Sequence, residues 1–287
     1  MKIFARISLI FLSFVLILPY STSKADSMDL NMVFVPASEK GDDQDYVNLI
    51  KIIGDLTGIK ITPIRVTDYN AAVEAVRANR AQIAWYGGKT YIQAVEIADV
   101  EAFAAGVRKG DSDASYFAYF VVPSDSQLMT LKDVKGTKLA LNSIGSTSGD
   151  LIPQVELMKA GLSVKNKDDF ERVFYAGSHD ACLMAAINKH VDVCGMSSRN
   201  FDARVADGTL DPSLVRIIHR STPVPPPPLA YSKKLPLEIR NKIKTATLEA
   251  HKYGRIGGYG GEMSHYIEIT DSDYDLLREV DKLLNSQ

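Results

Sequence analysis

The stretch Asn142-Ser143-Ile144-Gly145-Ser146-Thr147-Ser148-Gly149 is the strongest chemical signal in the chain. It falls between a strand read over Lys138–Leu141 and a helix read over Asp150–Lys159. Glycine lets the backbone approach a ligand closely. Three consecutive hydroxyl residues, Ser146, Thr147 and Ser148, add side-chain donors beside the free N–H groups that begin any helix. That set suits a tetrahedral oxyanion; it also suits a plain Ser/Thr-rich N-cap loop. A second signal is Gly177-Ser178-His179-Asp180-Ala181, after a strand and at the start of a helix. His179 then stands at a strand's carboxyl end, where α/β sheets place their ligand crevice. Neutral or protonated, it can donate a hydrogen bond to an anion, although a capping or solvated histidine fits the same pattern. A third pair of junctions, Asp68-Tyr69 and Ala84-Trp85-Tyr86-Gly87-Gly88, brings tyrosine hydroxyls that seek partners when buried. Trp85 fits an ordinary core position as well as a site position.

The same residues exclude several chemistries. No Gly-Lys-Ser/Thr closes the serine-rich loop, so it is not a phosphate loop of the nucleotide-binding kind. Threonine stands where a G-x-S-x-G nucleophile elbow needs serine. His179 and Asp180 are neighbours at a helix start, so their side chains diverge and do not make the base–orienter pair that Ser146 or Ser148 would need. The five histidines are scattered, without zinc spacing, so neither a metal nor another cofactor is expected.

The elements that must position these residues alternate. Strands are read at Leu30–Val35, Ile59–Val66, Gln82–Trp85 and Ala102–Val107, with helices at Tyr46–Thr57, Tyr69–Ala78 (capped by Thr67 or Asp68) and Lys89–Ile97. A second alternation runs from a strand at Tyr116–Val122 to one at Val215–His219. This predicts an α/β fold with a largely parallel sheet in each unit. Ser221-Thr222-Pro223-Val224-Pro225-Pro226-Pro227-Pro228 then carries five of the chain's 12 prolines. It reads as a rigid linker or, more sharply, as a crossover returning the chain to the first unit. The amphipathic helices Leu237–Tyr253 and Asp271–Leu284 would pack there. One lobe is therefore expected over 26–112 plus 224–287 and the other over 113–223, with a cleft between them that opens and closes.

The chain has 287 residues and 46% hydrophobic content, enough for two sizeable cores, and 24% charged residues, which excludes global disorder. With 33 basic and 35 acidic side chains it offers no basic excess for nucleic acid. Lys2 and Arg6 followed by the apolar run Ile7–Leu18 and by Ser23-Lys24-Ala25 read as a cleaved secretory signal over 1–25. Its removal takes three of the 33 basic residues and moves the formal charge from −2 to −5. No later run is apolar enough to span a bilayer, so a soluble, exported protein is expected, and the periplasm is the compartment implied by the resemblance described below. Such a compartment permits a bond between Cys182 and Cys194. A helix of about 12 Å running back and a strand of about 10 Å running forward bring the chain to nearly the same level. Two buried free thiols fit equally well.

Three segments together, "TDYNAAVEAVRANRAQIAWYGGKTYIQAVE", "NSIGSTSGDLIP" and "AGSHDACLMAAINKHVDV", resemble the phosphonate/phosphite/phosphate-type periplasmic binding proteins of ABC importers, the PhnD-like family. The resemblance covers most of the mature chain, in order. It implies a type II periplasmic binding fold, two α/β lobes joined by a two-strand hinge around one ligand. It implies that Ser146, Thr147, Ser148 and the helix N-terminus cradle a phosphorus oxyanion, with Tyr69, Tyr86 and His179 completing its hydrogen bonds and Tyr91 beside them. The implied partner is an ABC permease, and the implied state a monomer.

Two departures bear on the ligand. Family members that take an aminoalkyl phosphonate use carboxylates for the ammonium. One such position here is Ser198-Arg199-Asn200, and the other falls in Pro225-Pro226-Pro227-Pro228. An ammonium would meet no counter-charge. Arg199 either pairs with a ligand carboxylate or is a surface arginine. Asp150 either accepts a P–OH proton or is a solvated first-turn acid. The competing functions are a binding protein of the same fold that carries a non-phosphorus ligand or serves a sensor kinase, and a hydrolase on a two-lobe fold.

Overall fold

The computed structural model describes residues 28–37 and 43–286. The signal segment expected over 1–25 lies outside the described residues. The first unit opens with strands β1 (Asp29–Phe34), β2 (Lys60–Arg65), β3 (Ile83–Trp85) and β4 (Val100–Arg108). Helices α1 (Asp43–Thr57), α2 (Tyr69–Arg77) and α3 (Gly88–Ala98) connect them. The chain then crosses to β5 (Ala118–Pro123), β6 (Lys138–Leu141), β7 (Arg172–Tyr175), β8 (Val193–Ser197) and β9 (Val215–Arg220). Their helices are α4 (Ile152–Lys159), α5 (His179–Ile187) and α6 (Ser198–Ala206). It returns through β10 (Leu229–Ser232), α7 (Leu237–Glu249), β11 (Ile256–Gly258), β12 (Gly261–Glu268) and α8 (Asp275–Asn285).

Two sheets result, ordered β11-β12-β4-β10-β3-β1-β2 and β7-β6-β8-β5-β9. Neither is largely parallel, which corrects the expectation from alternation. In the larger sheet β1 pairs in parallel with β2 and β3, but β10 enters between β3 and β4 and runs against both. The strands β1 to β4 still run one way; the strand returning from the other lobe separates them. In the smaller sheet β5 arrives from the other lobe and runs antiparallel to β8 and β9. The crossovers thus dictate the mixed topology. The hairpin β11–β12 is absent from the sequence expectation; its tight turn rests on Gly260 and Gly261, at φ 85° and 116°.

Each sheet has its own core. Tyr46, Trp85, Phe103, Tyr231, Tyr266 and Tyr274 anchor the one around the larger sheet. In the smaller sheet the side chains of β5 alternate as strand geometry requires. Phe120 and Val122 join Leu139, Leu157 and Phe170 on one face; Val121 joins Cys182, Cys194, Met196 and Phe201 on the other. Cys182 and Cys194 are bonded, with their Cα atoms 5.7 Å apart. The inner strands β5, β6 and β8 are buried almost throughout, while the edge strands β7 and β9 are partly exposed.

Two connections join the sheets, and they pair with each other. Tyr116 and Val224 form an antiparallel bridge, Val224 N–H donating to Tyr116 C=O at 2.8 Å and Tyr116 N–H to Val224 C=O at 3.3 Å. Proline lacks a donor but keeps its carbonyl. The proline run uses that: Pro226 C=O accepts from the Tyr274 hydroxyl at 2.7 Å, and Pro228 C=O from Tyr86 N–H at 3.0 Å. The run is therefore a crossover docked along the larger unit.

Candidate functional site

Where the chain leaves β6, Gly145 turns it back with φ 97°, a backbone state that favours glycine. Ser146 caps the next turn, its Oγ accepting from Gly149 N–H at 3.1 Å. The helix expected from Asp150 begins three residues earlier, with a π turn over Thr147–Leu151. Leu151 N–H reaches back five residues to Ser146 C=O at 3.1 Å. A π turn is wider than an α turn and frequently marks a functional site. Gly149 is forced by contact. A Cβ there would stand 2.3 Å from Asn142 Cβ and 2.9 Å from His179 Cε1.

His179 opens α5, capped by Ser178, whose Oγ accepts from Ala181 N–H at 3.0 Å. Its Nδ1 accepts from Ser197 N–H at 3.2 Å. The ring proton must then sit on Nε2. Asn142 lies 3.0 Å from Nε2, and its Oδ1 is the amide atom left without a partner. Turning the amide so that Oδ1 faces Nε2–H pairs both groups, and the neighbouring hydroxyls of Ser146 and Tyr69 can donate to the same oxygen. Burial pushes the His179 pKa down to about 3, against a small upward pull from Asp180. The imidazole is a neutral donor.

Tyr69 opens α2 behind its cap Asp68, whose carboxylate accepts from Ala71 N–H at 2.8 Å. Tyr116, at the hinge bridge, hydrogen-bonds Ser148 and Thr147 through its hydroxyl, and burial raises its pKa and keeps the phenol protonated.

These elements enclose a cavity between the two sheets. Tyr69, Tyr116, Ser146, Thr147, Ser148 and His179 supply its polar wall. Val35, Ala37, Trp85, Gly87, Pro227 and Tyr259 supply the rest. Its free volume is about 10 Å³, so the lobes stand close together. The Trp85 indole N–H is buried and has no protein partner. Among the described residues no ionised side chain lines this cavity.

Of the residues singled out from sequence, Ser146, Thr147, Ser148, His179 and Tyr69 share this cavity. Tyr86, Tyr91 and Arg199 do not line it. Tyr86 is fully buried in the larger core, its hydroxyl without a protein partner. Tyr91 donates to Asp271 at 2.8 Å and accepts from Ala102 N–H at 3.2 Å, inside the larger lobe. Arg199 is no surface residue. It is buried behind Tyr116, 5.8 Å from the ring centre, and donates to the carbonyls of Ala114 at 2.8 Å, Gly106 at 3.3 Å and Tyr259 at 3.4 Å. With its fork on three carbonyls it ties α6 to the other lobe and to the crossover. Asp150, expected as a solvated acid or a proton acceptor, is buried and paired with Lys89.

Tyr116 and Tyr259 do not stand out in the sequence as site residues. Tyr116 sits at the start of a strand-like run and Tyr259 in the β11–β12 hairpin, so neither occupies a strand-to-helix junction. Only the bridge to Val224 and the docking of the hairpin bring them to the cavity. No His/Cys/Asp/Glu cluster able to hold a metal occurs among the described residues.

The family model of the ABC transporter phosphonate periplasmic substrate-binding proteins matches residues 32–274. The chain belongs to this family. It is similar to the phosphonates-binding periplasmic protein of Escherichia coli, 29% identical over 191 residues that make up 65% of this chain and 55% of that protein. The match thus spans about half of the E. coli protein. It is 25% identical to the phosphate-import protein PhnD of Mycolicibacterium smegmatis over 93% of this chain and 89% of that one. Among solved structures, PhnD1 of Prochlorococcus marinus in complex with methylphosphonate superposes with a TM-score of 0.78 at 19% identity, over 91% of this chain and all of that one. The fold is thus the type II periplasmic binding fold. Within it, Pro227 of the proline run lines the cavity, and Arg199 donates to backbone carbonyls instead of entering it.

Proposed function

We propose that this protein captures a small phosphorus oxyanion in the periplasm and delivers it, without turnover, to an ABC permease. The observation that carries the reading is the convergence of uncharged donors on one interlobe cavity. The Ser146, Thr147 and Ser148 hydroxyls, the Tyr69 and Tyr116 phenols and the neutral His179 ring all line it, and an entering anion would take over donors that now point at Asn142 and at one another. Fixed neutral donors hold an anion in a dry site without bringing a second charge that must be desolvated. The expected export signal and the family's periplasmic role give the same compartment. We infer that 26–112 with 224–287 and 113–223 move as two bodies, and that the mature protein acts as a monomer. Ligand contacts to both lobes then favour closure.

The cavity also narrows the ligand. Beside these groups, Val35, Ala37, Pro227 and the rings of Trp85 and Tyr259 line the cavity with mainly apolar atoms. Phosphite, phosphate and methylphosphonate bring no cationic substituent to set against it; an ammonium substituent would be buried against apolar walls with no carboxylate among the described lining residues.

A thermal-shift screen tests this on mature protein stripped of ligand by unfolding and refolding. A ligand at one hundred times its dissociation constant stabilises by about 2.7 kcal/mol. Shifts are expected with phosphite, phosphate or methylphosphonate, and a smaller one with aminoethylphosphonate. A panel in which only carboxylates or sulfate raise the midpoint would overturn the reading.

A further inference from the structure

A buried carboxylate stands beside the oxyanion loop, and its cation comes from the other lobe. Asp150 lies in the π turn two residues after Ser148 and is 1% exposed. One oxygen accepts from Gln154 at 2.6 Å and from the Tyr175 hydroxyl at 2.8 Å, both on its own lobe. The other meets Lys89 Nζ at 2.6 Å. Lys89 is the second residue of α3 on the larger lobe, and its side chain is 23% exposed.

The same short segment makes further bonds across the cleft. Lys89 N–H donates to Thr147 Oγ1 at 2.9 Å, and Thr90 Oγ1 donates to Gly145 C=O at 2.9 Å. Gly87 permits the approach, since a Cβ there would stand 3.1 Å from Thr147 Oγ1. Three consecutive contacts thus seat the start of α3 on the loop that carries the hydroxyls. Their partners belong to different lobes, so all of them depend on closure.

We propose that Lys89 and Asp150 form an interlobe latch in which the ammonium offsets the buried carboxylate beside the anion, so that closure and anion binding reinforce each other. This rests on the oxyanion reading above. An anion entering the loop meets the field of Asp150, which its own lobe's Gln154 and Tyr175 leave negative. Docking α3 brings the compensating charge. A ligand that favours the docked state is held more tightly by every contact that state makes. Lys89 therefore acts as a positioning and charge-balancing residue rather than as a ligand contact.

Removing one member of a buried pair leaves the other uncompensated, which is far more damaging than removing both. The test is a double-mutant cycle with Lys89→Met, Asp150→Asn and both together, titrated calorimetrically with phosphate, phosphite and methylphosphonate. Lys89→Met, which keeps the aliphatic stem, is expected to weaken binding at least about tenfold. In the Asp150→Asn background the same change is expected to matter by less than about threefold. Lys89→Gln, a second uncharged replacement, is expected to behave as Lys89→Met does. Equal losses on replacing Lys89 with and without the carboxylate would show a purely steric role and overturn the latch alone. So would unchanged affinity in Lys89→Met. Wild-type protein that binds none of the three anions overturns the oxyanion reading and the latch with it.

Discussion

His179 makes the fold sensitive to acid in a way that can be calculated. The group is fully buried, and desolvation pulls its pKa from 6.5 down to about 3. An unfolded histidine titrates near 6.5. Below that pH the unfolded chain binds a proton that the folded protein refuses. Stability from this group is therefore complete above the unfolded pKa and falls as pH drops from about 6.5 toward 3, by about 1.4 kcal/mol per unit. Between pH 7 and pH 4.5 the loss is about 2.5 kcal/mol. His179→Gln keeps a neutral donor near the Nε2 position and removes the titration. Urea denaturation of both proteins at pH 7 and pH 4.5 gives four stabilities. The variant is expected to start less stable at pH 7, because Ser197 N–H loses its acceptor, and to lose about 2.5 kcal/mol less than wild type on acidification. The other histidines are common to both proteins and cancel. Equal acid losses would refute the neutral-imidazole assignment, because a histidine charged in the folded state adds no such penalty. The same assignment makes ligand affinity indifferent to His179 titration between pH 5 and pH 8.

Other substitutions test the neighbouring features. Gly149→Ala forces a Cβ into Asn142 and His179; it is expected to cost about 1–3 kcal/mol in denaturation and to abolish anion binding in calorimetry. Ser146→Ala removes the cap on Gly149 N–H and is expected to cost about 1 kcal/mol of stability, read from the urea midpoint, with weaker binding besides. Cys182→Ser with Cys194→Ser opens a bond that closes 12 residues of chain, an expected loss of about 3 kcal/mol that reducing agent should reproduce in the wild type.

The chain's residue types settled a good deal without tertiary information. The Asn142–Gly149 loop, the junction that places His179 at a helix start, and Asp68-Tyr69 are local statements, each made by a strand end, a glycine or capping residue and a helix start. Such junctions are written within about ten residues, and they appear in the structure at the same places. The alternation of strands and helices likewise marks two α/β units, because hydrophobic periodicity reports on the element that carries it.

Features that span the chain are not written locally. Sheet order depends on where β10 re-enters, between β3 and β4, and no short segment encodes that insertion. Tyr116 reaches the cavity through a bridge to Val224, far along the chain, and Tyr259 through a hairpin docked from near the C-terminus. Asp150 reads as a solvated acid from its own neighbours and becomes a buried one because Lys89 arrives from the opposite lobe. Arg199 illustrates the same limit. The sequence and the resemblance leave it either a ligand contact or a surface arginine, whereas the fold turns its guanidinium onto three carbonyls of the crossover and the larger lobe. A side chain's charge is fixed by its type, but its partner is fixed by whichever distant element packs against it, and that is decided only when both lobes are in place.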